Sequence, residues 1–295
     1  MLSSAQYYFY KLISAFVCLF PYSVVLFVGK QLGKLYYQVA AKQRERALRQ
    51  IQERLGLSPQ AAEQLIRRFF IKLGQTFCEV LYLPKLNANN INNYVTIENR
   101  HYLESACAGG TGVIVLAAHQ GNWEWLGAGL ALHGFPVASI VKSQPNEIFT
   151  RLINEFRRKA GITLFTSRTT ELISAAKALK HGKILGFFSD QDGGPQGIFV
   201  DFLGIKSAAY AGPAVFAQKF HLPVVPAFIV RGDRGGHKIL LGEPFYFEPS
   251  HTVASFTQKL SLIIEQQIRD YPDEWLWFQK RWNTKYPGEP KEGDT

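Results

Sequence analysis

Short apolar runs alternating with helix-period stretches predict an α/β fold, a mainly parallel central sheet flanked by helices, with an N-terminal membrane-embedded helix. Three observations predict it. Residues 113–118 read VIVLAA, an unbroken buried strand behind the turn Gly109-Gly110-Thr111-Gly112. Helical patterns separate it from the later apolar runs. Residues 12–29 form a charge-free run of 18 residues, 14 of them hydrophobic, near the lower limit for crossing a bilayer.

Within the apolar run, Pro21 is expected to kink the helix. From Lys30 to Arg54, seven basic residues stand against only Glu45 and Glu53, and basic flanks stay cytoplasmic and favour anionic lipid. Residues 58–82 read as a helix: Ser58-Pro59 is a start signal, and Leu65, Phe69, Leu73, Phe77 and Val80 recur at helical spacing. An Asn-rich turn follows at 87–93. Strands are then expected at 113–118, 137–141, 162–165, 184–188, 224–230 and 238–241. Helices are expected at 146–160, 171–180, 213–220 and 253–270. This gives an N-terminal membrane and basic segment, 1–57, and one α/β domain, 58–295.

The chain has 295 residues, 47% hydrophobic, enough for a sizeable core, which excludes a disulfide miniprotein and a disordered tail. Lys and Arg number 33 against 23 Asp and Glu, a net charge of +10 that attracts polyanions: nucleic acid, anionic membrane or an acidic or phosphorylated partner. Cys18, Cys78 and Cys107 form no Cys-x-x-Cys pair, so a reducing compartment fits.

Ligands of open α/β sheets gather beyond the carboxyl ends of the strands. His119-Gln-Gly-Asn-Trp-Glu124 follows VIVLAA, and Ser189-Asp190-Gln-Asp192-Gly-Gly follows ILGFF at 184–188. His119 is the candidate general base, with Glu124 folded back across a turn at Gly121 to fix its tautomer. A helix starting near Asn122 would offer free N–H groups to an oxyanion or phosphate. The competing structural reading is a histidine that only caps the helix.

In the helix 146–160, Ile148, Phe149, Leu152, Ile153 and Phe156 form one apolar arc, with Asn146, Thr150 and Arg157 at its margin. Arg157 should therefore lie near the sheet and need a carboxylate or a phosphate. Asp190-Gln-Asp192 is either a metal-binding Asp-x-Asp of a glycosyltransferase or a turn. Trp275, Trp277, Phe278 and Trp282 could stack nucleic-acid bases, but read more simply as a closing apolar patch or an interfacial belt. There is no Gly-x-Ser-x-Gly elbow and no zinc motif. Gly29-x-x-x-Gly33-Lys34 is one residue too short for a phosphate loop. A histidine base without its own nucleophile points to direct transfer onto a substrate hydroxyl.

These residues resemble a family. His119-x4-Glu124 is similar to the His-x4-Asp/Glu motif of glycerolipid-type acyltransferases, and the remainder resembles the late (lauroyl/myristoyl-type) acyltransferases of lipid A biosynthesis. Supporting blocks are Lys142-Ser-Gln-Pro-Asn146, Arg157-Arg-Lys-Ala-Gly161, Ser189-Asp190-Gln-Asp192, 197–204 (GIFVDFLG) and 272–282 (PDEWLWFQKRW). Lys142 stands where the family usually has Arg, and Asn122 also occurs in relatives that acylate other glycolipids. The resemblance implies a membrane-attached O-acyltransferase on the cytoplasmic face of the inner membrane. Its donor would be acyl carrier protein or coenzyme A thioester, its acceptor a phosphorylated glycolipid such as a lipid A precursor, another glycolipid or a lysophospholipid. No cofactor, metal or nucleic acid is expected. Asn122, Lys142, Asn146, Arg157 and Asp190 would bind substrate, with His119 and Glu124 catalytic.

Overall fold

The computed structural model describes residues 2–141, 146–166, 169–232 and 235–287. The chain begins with α1 (Leu2–Val17), α2 (Tyr22–Val39), α3 (Ala41–Leu55) and α4 (Pro59–Tyr82). There follow β1 (Val95–Glu98), α5 (Arg100–Ala108), β2 (Val113–Ala117), α6 (Trp123–Leu132), β3 (Val137–Val141), α7 (Glu147–Lys159) and β4 (Thr163–Thr166). Then come α8 (Thr169–Lys180), β5 (Ile184–Phe188), β6 (Ile198–Phe202), β7 (Ile205–Ala209), α9 (Gly212–Phe220), β8 (Val224–Arg231), β9 (His237–Leu241) and α10 (Val253–Asp270).

Seven strands form one sheet in the order β1-β9-β8-β2-β5-β3-β4. β8, β2, β5, β3 and β4 are mutually parallel, β9 turns back antiparallel to β8, and β1 pairs parallel with β9. The expected mainly parallel sheet is present. Side chains of a strand alternate between its faces, and β2 shows it. Val113, Val115 and Ala117 join a core with Trp125 and Leu126 of α6 and Leu152 and Phe156 of α7. Ile114, Leu116 and Ala118 join a second core with Leu179 of α8, Ala217 of α9 and Phe256 and Leu260 of α10. Both faces are covered, which is why VIVLAA is apolar throughout.

The sequence reading omits β1, α5 and the antiparallel ribbon β6–β7. The ribbon turns at Leu203 and Gly204, with φ of 50° and 84°, the paired left-handed conformations of a tight hairpin. Ser58 caps α4 as expected, its hydroxyl accepting from Ala61 N at 3.3 Å, with Pro59 at the first helical position.

The N-terminal expectation needs correction. The apolar run does not form one kinked helix: α1 ends at Val17, and Pro21 becomes the N-cap of α2, where its missing N–H costs nothing. No described helix is long and apolar enough to cross a membrane. Gly29 and Gly33 of α2 meet Gly74 of α4 backbone to backbone. A Cβ on Gly33 would lie 2.3 Å from Phe70 O, and one on Gly74 would lie 2.4 Å from Gly29 O. The glycine spacing set aside as a phosphate loop thus serves close helix packing.

Candidate active site

The register of β2 and β5 builds the site. Ala117 pairs with Phe188, so residues two positions further along, His119 and Asp190, leave adjacent parallel strands side by side. His119 Nδ1 lies 2.8 Å from Asp190 Oδ1, and the His119 backbone N–H donates to Asp190 Oδ2 at 2.9 Å. With a carboxylate on Nδ1, the proton sits there and the Nε2 lone pair is left for a substrate. Among the described residues Nε2 makes no hydrogen bond. The imidazole keeps 18% of its side-chain surface exposed, against Trp123 and Phe188 with ring centroids 5.4 and 5.0 Å away.

Asp190 is fully buried. Burial alone would raise its carboxyl pKa, but the charge and hydrogen bonds of His119 outweigh that and hold it at about 2. In turn, burial would lower the His119 pKa, but the Asp190 charge and hydrogen bond, helped by Glu124, leave it raised. Asp190, expected among the substrate-binding residues, is instead buried against the His119 imidazole.

Glu124 does not take the role expected for it. It sits in the first turn of α6 and reaches across to α7, where both its oxygens accept from Arg157: Oε2 from Nε at 2.8 Å and Oε1 from Nη2 at 2.6 Å. Arg157 Nη1 donates to Asn154 at 3.0 Å. The wheel argument that Arg157 needs an anionic partner is met by Glu124. On His119, Glu124 acts only through its charge.

Asn122 and Asn146 are helix caps. Asn122 Oδ1 accepts from Trp125 N at 3.1 Å, and Asn146 Oδ1 accepts from Phe149 N at 3.0 Å. Asn122 is fully buried, with its amide nitrogen donating to Glu79 at 3.0 Å, so it is closed to substrate. Lys142 lies outside the described residues. Gly121 supplies the bend as expected: its φ is +57°, and a Cβ there would lie 2.2 Å from Ile229 O. Asp192 accepts from Thr284 at 2.8 Å and from Gly194 N at 3.3 Å, a turn arrangement. With Asp190 spent on His119, the Asp-x-Asp pair does not make a metal cradle, and no cluster of three metal-ligating side chains occurs among the described residues.

Two supports of the site were missed. The first is the segment after α10. Trp275 Nε1 and Gln279 Nε2 both donate to Asp190 Oδ2, at 2.9 and 3.2 Å. Leu276 N donates to His119 O at 3.1 Å, and Gly121 N donates to Glu274 O at 2.9 Å. One segment therefore clamps both halves of the His119–Asp190 pair. Trp275 and Trp277 are fully buried, so they are not free to stack on bases.

The second is Glu79 on α4, fully buried beneath the turn. It accepts from Arg231 Nη1 at 2.6 Å and Nη2 at 3.0 Å, from Tyr22 at 2.6 Å and from Asn122 at 3.0 Å, and it lies 3.0 Å from His237 Nε2. Burial opposes its ionisation, but the charges of His237 and Arg231 win and hold its carboxyl well below the usual range. A signal was present: Glu79 is the only acid between Glu63 and Glu98. A shallow open recess reaches Gly121, Trp123 and Leu276 from Phe69, Leu73 and Thr76.

The sequence model of the family described as bacterial lipid A biosynthesis acyltransferase matches residues 1–284. The phosphatidylinositol mannoside acyltransferase of Mycobacterium tuberculosis (strain ATCC 25618 / H37Rv) is 25% identical over 236 residues, 77% of this chain and 73% of that one. The lipid A biosynthesis palmitoleoyltransferase of Escherichia coli (strain K12) is 24% identical over 276 residues, 91% and 88% of the two chains. The lipid A biosynthesis lauroyltransferase of the same organism is 23% identical over 279 residues, 92% and 89%. Among solved structures, the 1-acyl-sn-glycerophosphate acyltransferase PlsC from Thermotoga maritima aligns with a TM-score of 0.39 and 15% identity, covering 81% of this chain and 97% of that one.

Proposed function

The chain belongs to the bacterial lipid A biosynthesis acyltransferase family, and from that premise we propose that it moves a fatty acyl chain from an acyl carrier protein or coenzyme A thioester to a hydroxyl of a phosphorylated membrane glycolipid, with His119 as general base. One observation carries the reading: at the carboxyl end of the central strand, Asp190 holds His119 Nδ1 at 2.8 Å and leaves Nε2 free.

The chemistry follows from that pair. Nε2 takes the proton of the acceptor hydroxyl as its oxygen attacks the thioester carbonyl, and buried Asp190 stabilises the imidazolium so formed. The tetrahedral oxyanion is assigned to backbone N–H groups at the start of α6 other than that of Trp125, which Asn122 already accepts. Collapse breaks the carbon–sulfur bond, the leaving thiolate takes the proton back from His119, and an ester and a free thiol result. No group on the protein is acylated.

Glu124 and Arg157 form a bidentate pair beside the base, with Arg157 keeping 24% of its side-chain surface exposed. Arg157 and Lys142 are the cations assigned to the acceptor phosphate; Arg157 would offer its open edge while Glu124 fixes its plane. A lipid A precursor is the first acceptor to try, and a mannosylated phosphatidylinositol the second, because relatives named for each are similar to this chain. A lipid acceptor and the basic stretch 30–54 support a position on the cytoplasmic face of the inner membrane.

The test is acyl transfer by detergent-solubilised protein. Acyl carrier protein and coenzyme A donors are offered separately to lipid A precursor, phosphatidylinositol mannoside and lysophospholipid. Transfer that disappears in His119→Ala supports the reading and names donor and acceptor. Near-normal transfer in that folded variant removes His119 as the base.

A further inference from the structure

Among the described residues Arg281 is the one Lys or Arg that is wholly buried, and the chemistry above makes no use of it. It belongs to the segment that clamps Asp190. Gln279, two residues earlier, donates to Asp190 Oδ2 at 3.2 Å, and so does Trp275 at 2.9 Å. The Arg281 guanidinium donates from Nη1 to Ala208 O in β7. The same carbonyl accepts from Gly193 N at 3.0 Å, so the cation rests against the chain three residues beyond Asp190. The ring of Phe202 in β6 lies 4.8 Å from Arg281 Cζ and 6.1 Å from the ring of Trp275.

This cation has no anion in contact. Nε and Nη2 are buried without a hydrogen bond to any described residue, and Nη1 meets a neutral carbonyl. A buried charge needs an opposite charge to offset its desolvation. The groups whose charges act on Arg281 are Asp190 first, then Asp192, with Tyr210. Asp192 is occupied by Thr284 and Gly194 N and is less buried than Asp190. Burial pulls the Arg281 pKa down to about 10 against the pull of these acids, which still leaves a full cation at neutral pH.

Asp190 has the complementary need. Its oxygens are taken by His119 Nδ1, His119 N, Trp275 Nε1 and Gln279 Nε2. All four are uncharged donors whenever His119 is deprotonated, the state in which a general base works. In that state the buried carboxylate touches no cation. An arginine in direct contact with it would displace the donors that hold the imidazole; one behind them does not.

We propose that Arg281 is the standing counter-charge of Asp190, a positioning residue that keeps this carboxylate ionised beside a neutral His119 and limits the proton affinity of the base. The role rests on the acyl-transfer reading above. With Arg281 present, neutral His119 leaves the buried group without net charge, and a proton on His119 makes it positive. Without Arg281, neutral His119 leaves a lone buried anion, and a proton on the imidazole relieves it. Glu124 and Arg157 also act on His119, but with opposite signs and paired to each other, so they do not replace this effect.

The test follows the His119 imidazole by NMR across pH in substrate-free protein, beside the pH profile of kcat/KM. Wild type, Arg281→Gln and Arg281→Met are compared, and His119→Gln assigns the resonance. Gln keeps a donor for Ala208 O without the charge, while Met fills the volume with neither, so each stands in if the other fails to fold. Each neutral variant is expected to raise the His119 pKa by about one unit. The acidic limb of kcat/KM should move up with it, a loss of about tenfold at a pH on the limb, with KM on the plateau unchanged. An arginine that only closes the core would leave the His119 pKa in place and lower the melting temperature alone. That result in a folded neutral variant overturns the proposal, as does a shift to lower pH. If the acyl-transfer reading is the one that fails, the wild type shows no transfer while the NMR shift in Arg281→Gln remains.

Discussion

His119 Nδ1 and Asp190 Oδ1 are 2.8 Å apart, although 70 residues separate them in sequence, because β2 and β5 are neighbours in register. The pair sets a pH dependence with a definite sign. A general base works when deprotonated, so kcat/KM rises as pH rises through the His119 pKa. Asp190 raises that pKa. Asp190→Asn removes the charge, so the acidic limb of kcat/KM should move to lower pH while the plateau falls about 100- to 10,000-fold. A pH series on wild type and Asp190→Asn checks both. A limb that does not move means that His119 is not the titrating base.

The two donors on Asp190 Oδ2 provide the second prediction. Trp275→Phe and Gln279→Ala each remove one hydrogen bond to a buried carboxylate, and such bonds contribute about 1.5–3 kcal/mol. Neither side chain touches a substrate in the proposed mechanism. Each variant should therefore lose about tenfold or more in kcat with KM nearly unchanged. The acidic limb should move as well, because a carboxylate with fewer donors has a higher pKa and stabilises the imidazolium differently. Loss of thermal stability alone, with kcat and the pH profile intact, would mean the segment after α10 only closes the core.

How much of this was legible in the sequence follows from which relationships are local. VIVLAA and ILGFF announce buried strands, and the rule about strand ends picks out His119 and Asp190 separately. Strand order is not local. Without knowing that β2 lies beside β5, the nearest carboxylate in sequence, Glu124, looks like the partner of His119. Gly121 was legible because a turn needs its positive φ. Asn122 was not legible because a buried cap and a ligand-binding amide look the same in sequence, whereas Asn146 caps α7 from an exposed position. Arg157 was half legible: its place on the helix wheel demanded an anion but could not say which. Pro21 was visible, yet whether it kinks a helix or begins one depends on packing, here the Gly29–Gly33 contact with α4.

Glu124 and Arg157 should behave as a unit. Removing either leaves its partner partly buried and unpaired, with side-chain exposures of 10% and 24%, so Glu124→Ala and Arg157→Ala should each lower kcat/KM by similar factors. The double variant should be no worse than the poorer single one. Arg157→Lys should not restore activity, because an ammonium cannot make the two parallel bonds to Glu124. Additive losses in the double-variant cycle would show that the two side chains act separately.

The buried carboxylates govern stability in acid. Glu79 and Asp190 both have folded pKa values below their ordinary 4.5 and 3.8. The unfolded chain therefore binds protons that the folded chain refuses. The stabilisation is fully present above the ordinary carboxylate pKa values and is lost as pH falls through them towards the folded values. Melting temperature should decline steeply below about pH 5. Glu79→Gln should flatten that decline, since one of the two groups no longer titrates. The same variant should be less stable at neutral pH by about 3–5 kcal/mol, because Arg231 is left buried without its counter-charge. Thermal melts of wild type and Glu79→Gln across the acid range decide it. Parallel curves would mean that Glu79 is not the group whose protonation unfolds the protein, and the acid sensitivity would then fall to Asp190.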